Sequence, residues 1–282
     1  MRVMVTGGSG KAGRHVVEQL VAAGHDVTNL DRERRGELGC KHILIDLEDT
    51  GAVYDAVAQV RPEGICHLAA NPSPSGFGRA DTFGGNTMIT YNVFQAAGDL
   101  GVKRFISAGS EMATGWLTTE ELPPVFPFSE EHRVDSGNAY ALSKYLSEVI
   151  ADSMTVRYPE MEICTLRINN VIPPERRDEM LRPRREQFPG PGSANFWSYI
   201  DARDVGGAFL AALEGESSGH EVFLIAAQDT CIEVPLPEAT KTRYGKEATF
   251  KPDHDPLASA FDCSKMEQFF GWKAQHSWRD PA

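Results

Sequence analysis

Along the first two-thirds of the chain, short runs of apolar and β-branched residues alternate with longer stretches whose apolar positions recur every three to four residues. The short runs predict strands at residues 2–6, 26–30, 42–45, 64–68, 104–107 and 162–166. The longer stretches predict helices at 11–23, 52–59, 84–100, 138–158 and 202–213. In the first of these, Val16, Val17, Leu20 and Val21 fall on one face. Strands and helices alternating in this way call for a parallel sheet with right-handed crossovers. The expected fold is therefore α/β, a doubly wound parallel sheet of the Rossmann type.

The pattern loosens after Val171. A Pro/Arg-rich segment is followed by FWSYID, the helix at 202–213, a strand at 221–225, and a Pro- and charge-rich tail with a short helix near 264–270. No internal repeat or low-complexity linker interrupts the chain. This predicts a main nucleotide-binding domain over 1–170, continued by 194–214. Residues 171–193 and 215–282 would build a small C-terminal substrate-binding cap.

Composition narrows the function. The chain has 282 residues and a net charge of −12, so no general positive field exists to attract nucleic acid or an anionic membrane. No apolar run approaches the ~18–20 residues that cross a bilayer. The first strand starts at residue 2, with no basic-then-apolar leader ahead of it. The cysteines (Cys40, Cys66, Cys164, Cys231, Cys263) are odd in number and form no CxxC pair, which excludes a zinc knuckle or redox pair and suits a reducing cytoplasm. Neither the histidines nor the acids show metal-ligand spacing. A soluble, cytoplasmic, metal-free protein acting on a small molecule is expected.

TGGSGKAG follows the first strand and opens the first helix. Its glycines, Gly7, Gly10 and Gly13, allow a tight turn and let backbone N–H groups and the helix N-terminus approach a pyrophosphate, with Lys11 and Ala12 between them. Asp31 ends the second strand, placed to accept hydrogen bonds from an adenosine ribose. A carboxylate there favours NAD. Arg32, Arg34 and Arg35 follow at once and leave NADP possible, since a guanidinium accommodates a 2′-phosphate.

NAYALSKYLSEV sets Tyr140 and Lys144 four apart on a helix, hence on one face. An ammonium beside a phenol favours the phenolate, so Tyr140 can serve as a general base near neutral pH. RFISAGSEM brings Ser107 and Ser110 to the carboxyl end of a strand, the edge where doubly wound sheets carry their sites.

As a set, TGGSGKAG, Asp31, the Asp46-Leu47 pair, HLAA at 67–70, NTMITYNVFQAA at 86–97, Ser110, YALSK and LRINNVIPP at 166–174 resemble the extended short-chain dehydrogenase/reductase superfamily, in its NAD-dependent epimerase/dehydratase branch. The resemblance implies that Ser110 polarises the substrate oxygen, that Tyr140 exchanges its proton, and that Lys144 binds the nicotinamide ribose while tuning Tyr140. It implies further that Asp46 and Leu47 flank the adenine and that Leu68, Ala69 and Ala70 line the cofactor. Asn92 matches an asparagine of the core helix and counts with the cofactor-binding set, and Asn170 matches a substrate contact. A homodimer through the helices at 84–100 and 138–158 is common in that superfamily and is expected here.

The sequence departs from that pattern in ways that bear on substrate. Ala108 and Gly109 replace serines before Ser110, Glu111 follows it, and Thr114 replaces a tyrosine. Glu111 is a candidate for a sugar hydroxyl or a solvated acid. Nucleotide-sugar enzymes of the branch carry a diphosphate-gripping arginine shortly before a YVDD-like strand, and Asn195 is read at that place in SANFWSYIDARD. FWSY resembles a strand of the uronate dehydrogenases, which hold a carboxylate with an arginine soon after the segment matching 170–174. Arg176 and Arg177 in PPERRDEM are the candidates for that role, while Arg182, Arg184 and Arg185 read as a solvated loop or subunit contact. With Ser73 and Ser110 for hydroxyls, the expected activity is oxidation of a hydroxyl or lactol of a sugar or sugar acid. The alternative is a nucleotide-sugar 4-epimerase, like UDP-glucose 4-epimerase, with retained NAD.

Overall fold

The computed structural model describes residues 1–72, 79–131 and 136–281. Its strands are β1 (Arg2–Thr6), β2 (Asp26–Asp31), β3 (Lys41–Leu44), β4 (Gly64–His67), β5 (Arg104–Ser110), β6 (Glu162–Ile168), β7 (Val171–Ile172), β8 (Ile200–Asp201) and β9 (His220–Ile225). Its helices are α1 (Gly13–Ala22), α2 (Thr50–Val60), α3 (Arg79–Asp99), α4 (Ala139–Arg157), α5 (Arg177–Glu186), α6 (Ala202–Glu214), α7 (Leu236–Tyr244) and α8 (Ser264–Phe270). Seven strands form one sheet in the order β3-β2-β1-β4-β5-β6-β9, every neighbouring pair parallel. The fold is the doubly wound α/β sheet that the alternation predicts. Among the described residues no helix is long and apolar enough to cross a membrane.

Both faces of the sheet are covered, which is why its strands read as nearly continuous apolar runs. On one face Val16, Val17 and Leu20 of α1 pack with Val205, Phe209 and Leu213 of α6 and Met266 of α8. On the other, Val53 and Val57 of α2, Val93 and Phe94 of α3, and Ala151 and Met154 of α4 close a second core. Phe94 stacks on Phe105 of β5 with ring centroids 4.0 Å apart. A third core is rich in aromatic rings, with Trp116, Phe126, Phe128, Phe196, Trp197 and Tyr199 packed together with Leu181 of α5 and Leu236 of α7. Each such side chain contributes roughly 1.5–3 kcal/mol on burial.

Three features differ from the sequence expectation. The Arg-rich segment is not a loop: α5 forms because Asp178 pairs with Arg182 four residues on, Arg176 at its start pairs with Glu179, and Leu181 is fully buried. The run at 220–225 joins the main sheet by pairing with β6, because that edge would otherwise present unpaired backbone groups. β5 and β6 extend to Ser110 and Ile168, past the 107 and 166 expected, so their last residues reach the edge that carries the site.

A buried ion pair ties α4 to β6. Arg167 Nε and Nη2 donate to Glu148 Oε1 and Oε2, each at 2.8 Å, and Arg167 Nη1 donates to the Glu130 carbonyl at 3.1 Å. Both side chains are buried. Removing one partner strands the other charge away from water. Arg167→Met should therefore cost about 3–5 kcal/mol, read as a drop in the denaturant midpoint. The double replacement by Met at 148 and 167 should recover most of that loss.

Candidate active site

Crossovers leave β1 and β4 in opposite directions, and a cleft of about 960 Å³ opens at the carboxyl edge there. One half is built by the glycine turn. Gly7, at φ +73°, has no room for a side chain, since a Cβ would lie 2.6 Å from the Ala69 backbone nitrogen. A Cβ on Gly13 would lie 2.1 Å from the Gly7 carbonyl oxygen. The Gly10 N–H donates to that carbonyl at 3.0 Å, which closes the turn. α1 then begins with no side-chain cap, and its first residue, Gly13, lines the cleft beside Gly10, Lys11 and Ala12.

Asp31, at the end of β2, lines the cleft and accepts from the Ser9 N–H at 3.0 Å. Arg32 also lines it, but its guanidinium already donates to Asp46 at 3.2 Å and Glu48 at 2.9 Å, and Arg35 is paired with Glu33. Those acids neutralise two of the three guanidinium groups that could have held a 2′-phosphate, Arg32 and Arg35. Leu47, Leu68, Ala69 and Ala70 line the cleft as the sequence suggests. Asp46 stands behind it, pairing with Arg32. Asn92 does not reach it either: its amide donates to the carbonyls of Leu47 and Glu48 at 3.0 and 3.3 Å, so it holds the loop that carries Leu47. Ser73 lies outside the described residues.

The other half brings Ser110, Tyr140 and Lys144 to one wall. Asn138 caps α4 by accepting from the Ala141 N–H at 2.8 Å, which fixes the helix start and stacks Tyr140 and Lys144 one turn apart. Ser110, the last residue of β5, accepts from the Met112 N–H and hydrogen-bonds the Tyr140 phenol. Lys144 is buried and donates to the Ala108 carbonyl at 2.7 Å. Burial lowers its ammonium to about 8. Burial also pushes the Tyr140 phenol above its ordinary value, with the Ser110 hydrogen bond opposing and Glu111 adding to the rise. The expected depression of the phenol by Lys144 is therefore not present in this geometry.

The substrate end corrects the sequence expectation about arginines. Arg176 does not line the cleft: its fork is taken by Glu179 at 2.7 and 3.0 Å. Arg177 points toward the tail, donating to the Ser277 carbonyl at 3.5 Å. The side chain that enters the cleft is Arg184, expected to be a surface group. The reason is helical. With 177–186 wound into α5, Arg182 and Arg185 turn to Asp178, and Arg184 falls on the inward face, where Nη1 donates to the Ser198 carbonyl at 3.3 Å. No acid pairs with it among the described ion pairs. Burial, then the charges of Arg176 and Arg184, pull the Lys11 ammonium below its ordinary value.

Glu111 is buried rather than solvated, and with Asn170 it lines the cleft. Two further residues there, Asn169 and Asn195, were not singled out as binding residues from sequence. Asn195 Nδ2 donates to the Ser198 carbonyl at 2.9 Å, Asn169 Oδ1 at 3.3 Å and Glu111 Oε1 at 3.5 Å. Phe196 and Trp197 follow with φ +54° and +53°, a strained turn for two bulky residues that their burial holds in place. Only a sequence signal for that turn could have placed Asn195, and none exists for residues this large.

The donor set fits a dinucleotide. The helix N-terminus with Lys11 would hold a pyrophosphate, Asp31 would accept from a ribose, and Leu47 would offer an apolar wall to a base. Gly13→Ala pushes a methyl into the Gly7 carbonyl and should cost about 1–3 kcal/mol where the turn must close. The expected outcome is weaker NAD binding by calorimetric titration, at a small cost in Tm.

A family model for the NAD dependent epimerase/dehydratase family matches residues 3–226. The UDP-glucose 4-epimerase of Mycolicibacterium smegmatis is 26% identical over 309 aligned residues, covering 98% of this chain and 94% of that protein. The L-arabinose 1-dehydrogenase (NAD(P)(+)) of Haloferax volcanii is 31% identical over 179 residues, 59% of this chain and 66% of that protein. Among solved structures, UDP-glucose 4-epimerase from Thermotoga maritima superposes with a TM-score of 0.74 at 25% identity, covering 98% of this chain and 94% of that one. With the glycine turn, the Ser110–Tyr140–Lys144 set and this match in agreement, the chain belongs to the NAD-dependent epimerase/dehydratase family of extended short-chain dehydrogenases/reductases and is an enzyme that uses NAD.

Proposed function

We propose that this enzyme is a dehydrogenase that oxidises a hydroxyl or lactol of a free sugar or sugar acid, giving a ketone or a lactone. The observation that carries this reading is Arg184, a guanidinium without an acid partner in the cleft that also holds Ser110, Tyr140 and Lys144. A planar fork of this kind matches the carboxylate of a sugar acid. The 31% identical sugar dehydrogenase supports the reaction class.

NAD, when bound, supplies the acceptor for the hydride that leaves the carbinol carbon. Tyr140, as phenolate, takes the hydroxyl proton. Ser110 donates a hydrogen bond to the same oxygen as it becomes a carbonyl. Lys144 keeps a positive charge under the site, with the Ala108 carbonyl holding it in position. Asn170 and Glu111 bound the substrate on the side away from the glycine turn.

A second reading, a nucleotide-sugar 4-epimerase that retains NAD, has its own support: relatives of that name align along nearly the whole chain. The two readings part on net cofactor change. Steady-state NADH formation is expected with members of a panel of aldoses, uronates and aldonates, and none with UDP-hexoses. Interconversion of UDP-hexoses without NADH release, and no turnover of any free sugar, would reverse the choice. Arg184→Ala is expected to remove about 1.5–3 kcal/mol of binding for an acidic sugar, roughly a ten- to hundredfold rise in KM, and to leave neutral aldoses little changed.

We also propose a cytoplasmic homodimer formed through α3 and α4. Met88 and Tyr91 on α3 and Leu142, Val149 and Val156 on α4 are exposed apolar side chains, and the α4 set is spaced by whole heptads along one face. Light scattering should give twice the chain mass. Val149→Glu with Val156→Glu should halve it while NAD binding persists.

A further inference from the structure

Asn29 is a fully buried amide in the middle of β2, where a strand side chain facing the core is ordinarily apolar. It stands two residues before Asp31, so the two side chains rise from the same face of the strand. Neither Asn29 nor Gly8, the turn residue it meets, lines the cleft.

The pair takes successive N–H groups of the glycine turn. The Gly8 N–H donates to Asn29 Oδ1 at 2.9 Å, and the Ser9 N–H donates to Asp31 Oδ2 at 3.0 Å. The fit at Gly8 is close, since a Cβ there would lie 2.4 Å from Asn29 Oδ1. The direction of the amide follows from its partner: a backbone N–H can only donate, so it must meet the oxygen. Nδ2 then donates to Ser9 Oγ at 3.2 Å and to His42 Nδ1 on β3 at 3.1 Å. Ser9 Oγ in turn donates to the Glu33 carbonyl at 2.9 Å. One side chain of β2 thus ties the turn to β3 and to the loop after Asp31.

The amides of the turn are sorted by these acceptors. Gly8 and Ser9 bond to β2, and Gly10 bonds to the Gly7 carbonyl. The N–H groups of Lys11, Ala12 and Gly13 make no hydrogen bond among the described residues, and all three residues line the cleft. We propose that Asn29 is a positioning residue for the dinucleotide: it anchors Gly8 and Ser9 so that the next three amides are set for the pyrophosphate, without itself touching the cofactor. The proposal rests on NAD lying along the turn and is independent of which sugar is oxidised. An apolar side chain of the same size would leave the Gly8 N–H buried without an acceptor, and the turn would have to shift to find one.

Calorimetric titration of the full chain with NAD, ADP and adenosine tests this without any turnover. In Asn29→Leu the expected result is roughly tenfold weaker binding of NAD and of ADP, which carry the pyrophosphate, with adenosine unchanged because Asp31 and Leu47 stay in place. Met154→Ala, a truncation in the core between α3 and α4, is the control: it should lower Tm and leave all three affinities as they are. Unchanged NAD and ADP binding in Asn29→Leu would overturn the proposal. So would an equal loss for adenosine, since a general disturbance of the sheet would then account for it. Asn29→Ser, which shortens the side chain and overpacks nothing, is the second variant should Asn29→Leu not fold. A loss confined to NAD and ADP there supports the proposal, and wild-type affinities overturn it.

Discussion

The Arg167–Glu148 fork decides where the catalytic helix sits. α4 carries Tyr140 and Lys144 near its start and Glu148 one turn further on, while Arg167 is the next-to-last residue of β6, two residues before Asn169. Because both groups are buried, neither has water as an alternative partner, and the helix cannot slide or turn on the sheet without stranding a charge. The pair thereby sets the base and the substrate-side amides in one frame. The tight packing of Gly7 against Ala69 does the same for the cofactor half, since no side chain fits between β1 and the loop after β4.

These two constraints leave the cleft with a gradient of chemistry. At one end Asp46 and Glu48 hold Arg32 and Asp31 lines the wall, so this end carries more acid than base and disfavours a 2′-phosphate. At the middle, Lys11 and the uncapped start of α1 invite negative charge. At the far end Arg184 and the buried Glu111 line the same wall as Ser110, Tyr140 and Lys144.

Much of the site was legible beforehand because it rests on local rules. A strand–glycine turn–helix, an acid ending the next strand, and a Tyr and Lys four apart on a helix are all set by spacing within one element or across one turn. Arg184, Asn169 and Asn195 were not legible for the opposite reason. Arg184 is aimed by the winding of α5, which exists because Asp178 and Glu179 pair with neighbouring arginines and Leu181 finds the aromatic core of the cap. Asn195 is aimed by two residues of positive φ whose cost is met by burial of Phe196 and Trp197. Asn92 erred in the other direction, because its place on α3 was visible but its amide turns back to the chain and not to the cleft.

From the sequence alone came the doubly wound sheet, its cofactor turn, and the identity of the serine, tyrosine and lysine, since periodicity and short-range spacing carry that information directly. What only the tertiary structure decided was which of the clustered arginines lines the cleft and whether Glu111 is exposed or buried. Both are questions of long-range packing: a helix must first find its core, and a carboxyl must first lose its solvent, before either side chain has a direction or a charge.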